Sequence, residues 1–226
     1  MIVTKKQIIN TLLVAFSLSL ISCGGSDNSG KTVEGTTFSL AKMNSSLPFG
    51  SVYSVPLKGS SSDGVNYTGS IERINRKEEM LQGILVTPTD ILLDAVSNTL
   101  NQSQSFKTTN YTDINRNFIS SVNLDGIICT PDSLGKLPLI GKVGDTGIMP
   151  TVRCSDNSVY ITSWKVTDAG NGTIIYEVTN DEQDINGTPQ FRSVDTFNIE
   201  QNGIIISIKF VQEKFSNGYI ITLESL

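Results

Sequence analysis

Four Asn-Gly pairs, at Asn171-Gly172, Asn186-Gly187, Asn202-Gly203 and Asn217-Gly218, punctuate the last third of this chain at intervals of 15, 15 and 16 residues. Asn-Gly is favoured where a hairpin turn demands positive φ. The segments between the pairs alternate apolar and polar side chains, the period of a strand with one buried face. Ile174, Tyr176 and Val178 alternate with Glu177 and Thr179, and Tyr219, Ile221 and Leu223 with Thr222 and Glu224. Ile204, Ile206, Ile208 and Phe210 fall on one phase, opposite Ser207 and Lys209, while Phe191 and Phe197–Ile199 frame a more polar strand. With Val159–Val166 in front, this third predicts a five-strand antiparallel meander. The intervals share no sequence beyond their turns, so the rhythm is that of hairpins and not of a repeat array.

The first half carries weaker marks of the same kind. Tyr53, Val55 and Leu57 alternate, Ser60–Gly64 reads as a turn, and Val65, Tyr67 and Ile71 share a phase. Residues 80–86 form a third apolar run. Thr89–Leu100 fits two templates: Ile91, Leu92, Ala95 and Val96 make one helical face after Pro88, and a strand accounts for them equally well. Residues 101–117 are rich in Asn, Ser and Thr and read as a loop with a short strand, and Phe118–Cys129 as a further strand. The predicted class is therefore all-β: an antiparallel meander closing as a β-sandwich or a β-barrel, with 89–100 as the one place for a short helix.

The start of the chain is a separate unit. Lys5-Lys6 precede an apolar stretch from Ile8 to Ile21, which is short of the ~20 residues that span a bilayer. It ends in Leu20-Ile21-Ser22-Cys23. These residues resemble the lipobox of bacterial lipoproteins, in which apolar and small residues precede a cysteine. By that resemblance residues 1–22 are a signal peptide, the Cys23 thiol receives a diacylglyceryl group, and cleavage makes Cys23 the first mature residue. Two or three acyl chains hold a protein stably where one holds it marginally. The resemblance further implies a cell-envelope location, with Gly24 after the cysteine favouring the outer over the inner membrane. Residues 23–37 read as a lipidated polar tether and 38–226 as a single β-rich domain of about 190 residues, long enough for a core of its own.

Cys129 and Cys154 remain. In an exported protein such a pair is most simply a disulfide, here around a segment rich in Gly and Pro. A redox or metal-binding pair is the competing reading, but there is no C-x-x-C and no histidine to complete a site.

Charge and composition bear on partners and chemistry. The chain carries 17 Lys+Arg; losing Lys5 and Lys6 leaves 15 against 22 Asp+Glu, a formal −7. Without a basic run there is little to neutralise phosphates, so nucleic acid is not an expected partner, and the membrane link falls to the anchor. A chain with no histidine cannot build Ser-His-Asp or Cys-His catalysis or a histidine-ligated metal site. Ser133–Lys136 has the Ser-x-x-Lys spacing without companion motifs, and Glu78-Glu79 would point to opposite faces of a strand. In Asp181–Gly187, Glu182, Asp184 and Asn186 alternate like calcium ligands, but the closing acid falls at Ser193, so an acidic hairpin loop is the better reading. Trp164 belongs with the core. No catalytic residue, metal or cofactor is expected.

Two functions are carried forward. One is a lipid-anchored, non-enzymatic envelope protein acting as a scaffold or interaction module, with a protein partner unspecified. The other is a carrier holding a hydrophobic small molecule or lipid in a barrel.

Overall fold

The computed structural model describes residues 35–40, 50, 52–97 and 103–226. Residues 1–22, Cys23 and the tether up to residue 34 lie outside the described residues. The strands are β1 (Phe38–Ser39), β2 (Val52–Ser61), β3 (Asn66–Asn75), β4 (Glu79–Leu81), β5 (Ile84–Ser97), β6 (Ser103–Asp113), β7 (Phe118–Asn123) and β8 (Ile128–Pro131). There follow β9 (Ile140–Gly141), β10 (Thr146–Ile148), β11 (Val152–Cys154), β12 (Val159–Gly170), β13 (Thr173–Gln183), β14 (Pro189–Glu200), β15 (Ile205–Lys214) and β16 (Tyr219–Ser225). Among the described residues there is no helix.

Twelve strands form a closed circuit in the order β12-β13-β14-β15-β16-β2-β3-β5-β6-β7-β8-β11 and back to β12. The choice between sandwich and barrel is thus decided as a barrel. Two long-range pairings make the closure. The last strand, β16, lies against β2, with Ile221 opposite Ser61, and β8 lies against β11, with Cys129 opposite Cys154, after which β11 turns back onto β12 as a hairpin. Every neighbouring pair is antiparallel, so the turns fall on two rims. The 114–116, 171–172 and 201–204 turns share one, and the 62–65, 184–188 and 215–218 turns share the other.

The predicted meander is β12–β16, and its turns take two geometries. At 171–172 both residues have positive φ (53° and 75°), as a two-residue hairpin requires. In two of the longer turns only the glycine is left-handed and the asparagine caps with its side chain, Oδ1 of Asn202 and Asn217 accepting from Ile204 N and Tyr219 N. Two expectations need correction. An irregularity at Asn198/Ile199 shifts the register of β15, so Ile205, Ile208 and Phe210 face inward while Ile206 is 52% exposed. Residues 101–117 are not mainly loop, for β6 is an 11-residue strand. Its Thr108 and Asn110 are buried, and polar residues on the inner phase hid the alternation. The stretch from Thr89 is strand up to Ser97; residues 98–100 lie outside the described set.

The main core is built from the inner phase of most strands: Leu57, Ile71, Ile91, Val166, Ile174, Tyr176, Phe197 and Ile199 are all 2% exposed or less. Phe38 and Leu40 belong to it, at 1% and 0% exposure. They enter at the 201–204 rim, where Ser39 N donates to Gln201 O (3.1 Å) and β1 pairs with β9. The short β1 strand, outside the barrel circuit, is therefore a plug in one mouth. Trp164, partly buried, lies over Gly147, where a Cβ would fall 2.5 Å from the indole.

A second, smaller cluster holds Phe118, Val152, Tyr160 and the disulfide Cys129–Cys154. The two cysteines stand directly opposite on β8 and β11. They are 25 residues apart in sequence, for which loop-closure entropy gives a stabilisation of about 3 kcal/mol. The segment they enclose supplies Gly135 O to Phe118 N and carries β9 to the plug.

The outer wall is polar. Lys165–Glu177, Arg192–Asp181 and Lys209–Glu224 are ion pairs between residues directly opposite on neighbouring strands, at 2.7, 2.7 and 3.0 Å. Each is solvent-screened and contributes little to stability.

Candidate functional site

Between the two apolar clusters the barrel interior carries a belt of polar side chains. On β12 the inner phase runs Tyr160, Thr162, Trp164, Val166, so Thr162 separates the clusters; its neighbours across the sheet are Asn180 on β13 and Ser193 on β14. All three are 1% exposed or less. Thr162 Oγ1 donates to Asn180 Oδ1 at 2.7 Å, and Asn180 Nδ2 donates to Ser193 Oγ at 3.4 Å. On the opposite wall the belt continues through Arg73, Asn75, Thr89, Thr108, Asn110 and Ser121, all buried, with Thr89 Oγ1 donating to Asn75 Oδ1 at 3.0 Å.

Asp195 is the most unusual member. It is 2% exposed and stands between Val178 and Phe210 on the neighbouring strands. Its Oδ1 has no hydrogen-bond partner. Burial alone pushes its pKa up to about 8, so the carboxyl is largely protonated at neutral pH. Tyr176 OH, Gln212 Nε2, Asn110 Oδ1 and Ser121 Oγ are likewise buried without partners. Arg73 is 4% exposed, and burial lowers its pKa to about 10, which leaves it charged at pH 7.

Chemically, the belt can present hydrogen-bond donors and acceptors, including a neutral acid, to small polar atoms within the barrel. It was legible only in part. Phe191, Phe197 and Ile199 place odd-numbered positions of β14 inside, and Asp195 sits on that phase; an acid among inward phenylalanines was the available signal. Arg73 follows likewise from the phase of Tyr67 and Ile71.

The residues singled out from the sequence are dispersed. Cys23 lies outside the described residues, and Cys129 and Cys154 are joined. Ser133 and Lys136 are in an exposed loop, and Glu78 and Glu79 are exposed at the link into β4. Asp184 sits in a hairpin loop, where its Oδ1 accepts from Asn186 N (2.8 Å) and Thr188 N (2.9 Å). The Thr188 and Asn186 bonds hold its pKa below the usual value, so that carboxylate shapes the turn. Among the described residues no three His, Cys, Asp or Glu are grouped to hold a metal ion. Outside, a groove of about 300 Å³ runs between β10 and β13, lined by Thr146, Ile148, Ser163 and Thr179 and crossed by the Lys165–Glu177 pair.

Fold and interior together define a closed antiparallel β-barrel with a polar outer wall, a plugged mouth and a polar belt inside. Comparison with protein families, curated protein sequences and solved structures finds no match to this chain.

Proposed function

We propose that this protein is a lipid-anchored, non-enzymatic module of the bacterial cell envelope, held by Cys23 and presenting a rigid β-barrel to its surroundings. The observation that carries this reading is the way the chain enters the barrel. A leader ending in Leu20-Ile21-Ser22-Cys23 is followed by a polar tether, and within one residue of the tether's end Phe38 is locked into the core. An anchor so placed loads one rim of a stiff body and leaves the rest free. The polar wall supports a barrel that stands in water beside the membrane instead of crossing it.

Replacing Cys23 by Ser is expected to abolish metabolic labelling with palmitate and to move the protein from the membrane to the soluble fraction. Labelling that persists in the Cys23→Ser protein would refute the anchor.

The partnerless interior atoms favour a second reading, a carrier. A closed barrel can hold a small molecule, and Asp195 Oδ1, Gln212 Nε2 and Tyr176 OH are groups that polar atoms of a bound ligand or water would satisfy. Native mass spectrometry of the envelope-derived protein separates the two readings. A mass excess removed by organic extraction supports the carrier, and a bare mass supports the module.

A further inference from the structure

The mouth plugged by β1 also bears an exposed apolar hairpin. β3 ends at Asn75, and the chain runs through Arg76–Glu78 into β4, which pairs only with the start of β5. The resulting hairpin turns at Gln82 and Gly83, both with positive φ (50° and 83°). Val86 is the outermost residue of β5 with a partner on β6, so among the described strands Ile84 and Leu85 have only β4 beside them. Met80 stands opposite Leu85, and Leu81 opposite Ile84. Successive strand residues point to opposite faces, so this hairpin is apolar on both sides. Met80 is 65% exposed, and Ile84 and Leu85 are each 43% exposed. The neighbouring β6–β7 turn adds Ile114, 82% exposed at the tip of a loop braced by Asp113, whose carboxylate accepts from Asn117 N and Nδ2 at 2.8 and 2.9 Å.

A groove on a protein partner covers one face of a ribbon. A two-sided apolar ribbon at the end of a polar-walled barrel fits a medium that surrounds it. We infer that this hairpin, with Ile114, dips into the lipid bilayer that carries the anchor, docking the barrel on the membrane by its plugged rim. The inference rests on the lipid-anchor reading and adds to it a second, non-covalent contact with the same bilayer. The tether supports the geometry. Phe38, the residue that follows this polar stretch, enters the barrel at this rim, and the Gly/Ser/Asn-rich composition of residues 23–37 gives an expected root-mean-square span of about 20 Å for about 15 residues. That confines the hairpin near the lipid at an effective concentration at which even a weak contact is populated. Charge is not the drive, because Arg76, Lys77 and Arg116 at the hairpin's base are matched by Glu78, Glu79 and Asp113. Docking should therefore occur on zwitterionic lipid.

The test uses the full mature, acylated chain in phosphatidylcholine vesicles with brominated acyl chains, which quench tryptophan only at bilayer depth. Leu85→Trp and, as a second position on the same hairpin, Met80→Trp are compared with Ile185→Trp at the opposite rim. The single native Trp164 provides the same background in each. Emission added by tryptophan at 85 or 80 is expected to fall by half or more in brominated against plain vesicles, and that added at 185 to stay unchanged. If the vesicles float with the protein while all three probes remain unquenched, the hairpin stays in water and the docking surface is wrong, with the anchor intact. If the mature chain neither takes up palmitate nor floats, the anchor reading falls and the docking surface falls with it.

Discussion

Replacing Asp195 by Asn is expected to stabilise the folded barrel by about 6 kcal/mol at pH 9 while changing it little near pH 4. Burial raises the carboxyl from its ordinary 3.8 to about 8. Between those pH values the folded chain holds a proton that the unfolded chain has released. Unfolding stability therefore falls as pH rises, by about 1.4 kcal/mol per pH unit, and levels off above pH 8 with the full cost present. Asparagine keeps the shape and cannot ionise, so it removes this slope. Arg73, Glu182 and Lys214, which share the inner phase, are the same in both proteins. Urea unfolding of the two proteins at pH 5, 7 and 9 measures the effect directly. Parallel pH profiles would mean that the Asp195 carboxyl meets water or a cation inside the barrel and titrates near its usual value.

The second large effect concerns the plug. Phe38→Ala should cost about 3–5 kcal/mol, the usual range for emptying a fully buried phenylalanine site. Phe38 is 1% exposed and pairs with Gly141, whose Cα faces Leu40 and Val166 so closely that a Cβ there would lie 2.9 Å from the leucine. A site so enclosed by distant segments has little freedom to collapse. Denaturant midpoints of the parent and Phe38→Ala proteins decide the matter. A loss below about 1 kcal/mol would show that β1 is an ornament of the tether and not part of the barrel. On the proposed lipid-anchor reading, a loosened plug would also let this rim drift from the membrane.

Much of the wall was legible residue by residue. Tyr53–Val55–Leu57, Ile174–Tyr176–Val178 and Tyr219–Ile221–Leu223 announced their inner faces, because each strand alternates with period two and buries apolar side chains. Legibility failed where the inner phase is polar. Thr108 and Asn110 on β6, and Asp195 on β14, point into the barrel, so hydrophobicity could not reveal either the strand or the burial. It failed again at Ile204–Ile206, where a shift in pairing with β14 exchanges inside for outside within one residue. Ile91, Leu92, Ala95 and Val96 suited a helix as well as a strand; β3 and β6, pairing along both edges, supply the hydrogen bonds that select the strand.

The sequence by itself determined the all-β class, the hairpin rhythm of the last third and the pairing of Cys129 with Cys154. Each of these rests on local chemistry: the left-handed preference of Asn-Gly, the two-residue alternation, and two cysteines left over after Cys23. The tertiary structure alone decided that the sheet closes, that Phe38 and Leu40 plug one mouth, and that a protonatable acid lies inside. Closure depends on β16 finding β2, and β11 finding β8, with edge hydrogen bonds satisfied by segments far apart in the chain. No local pattern specifies which distant edge will meet them.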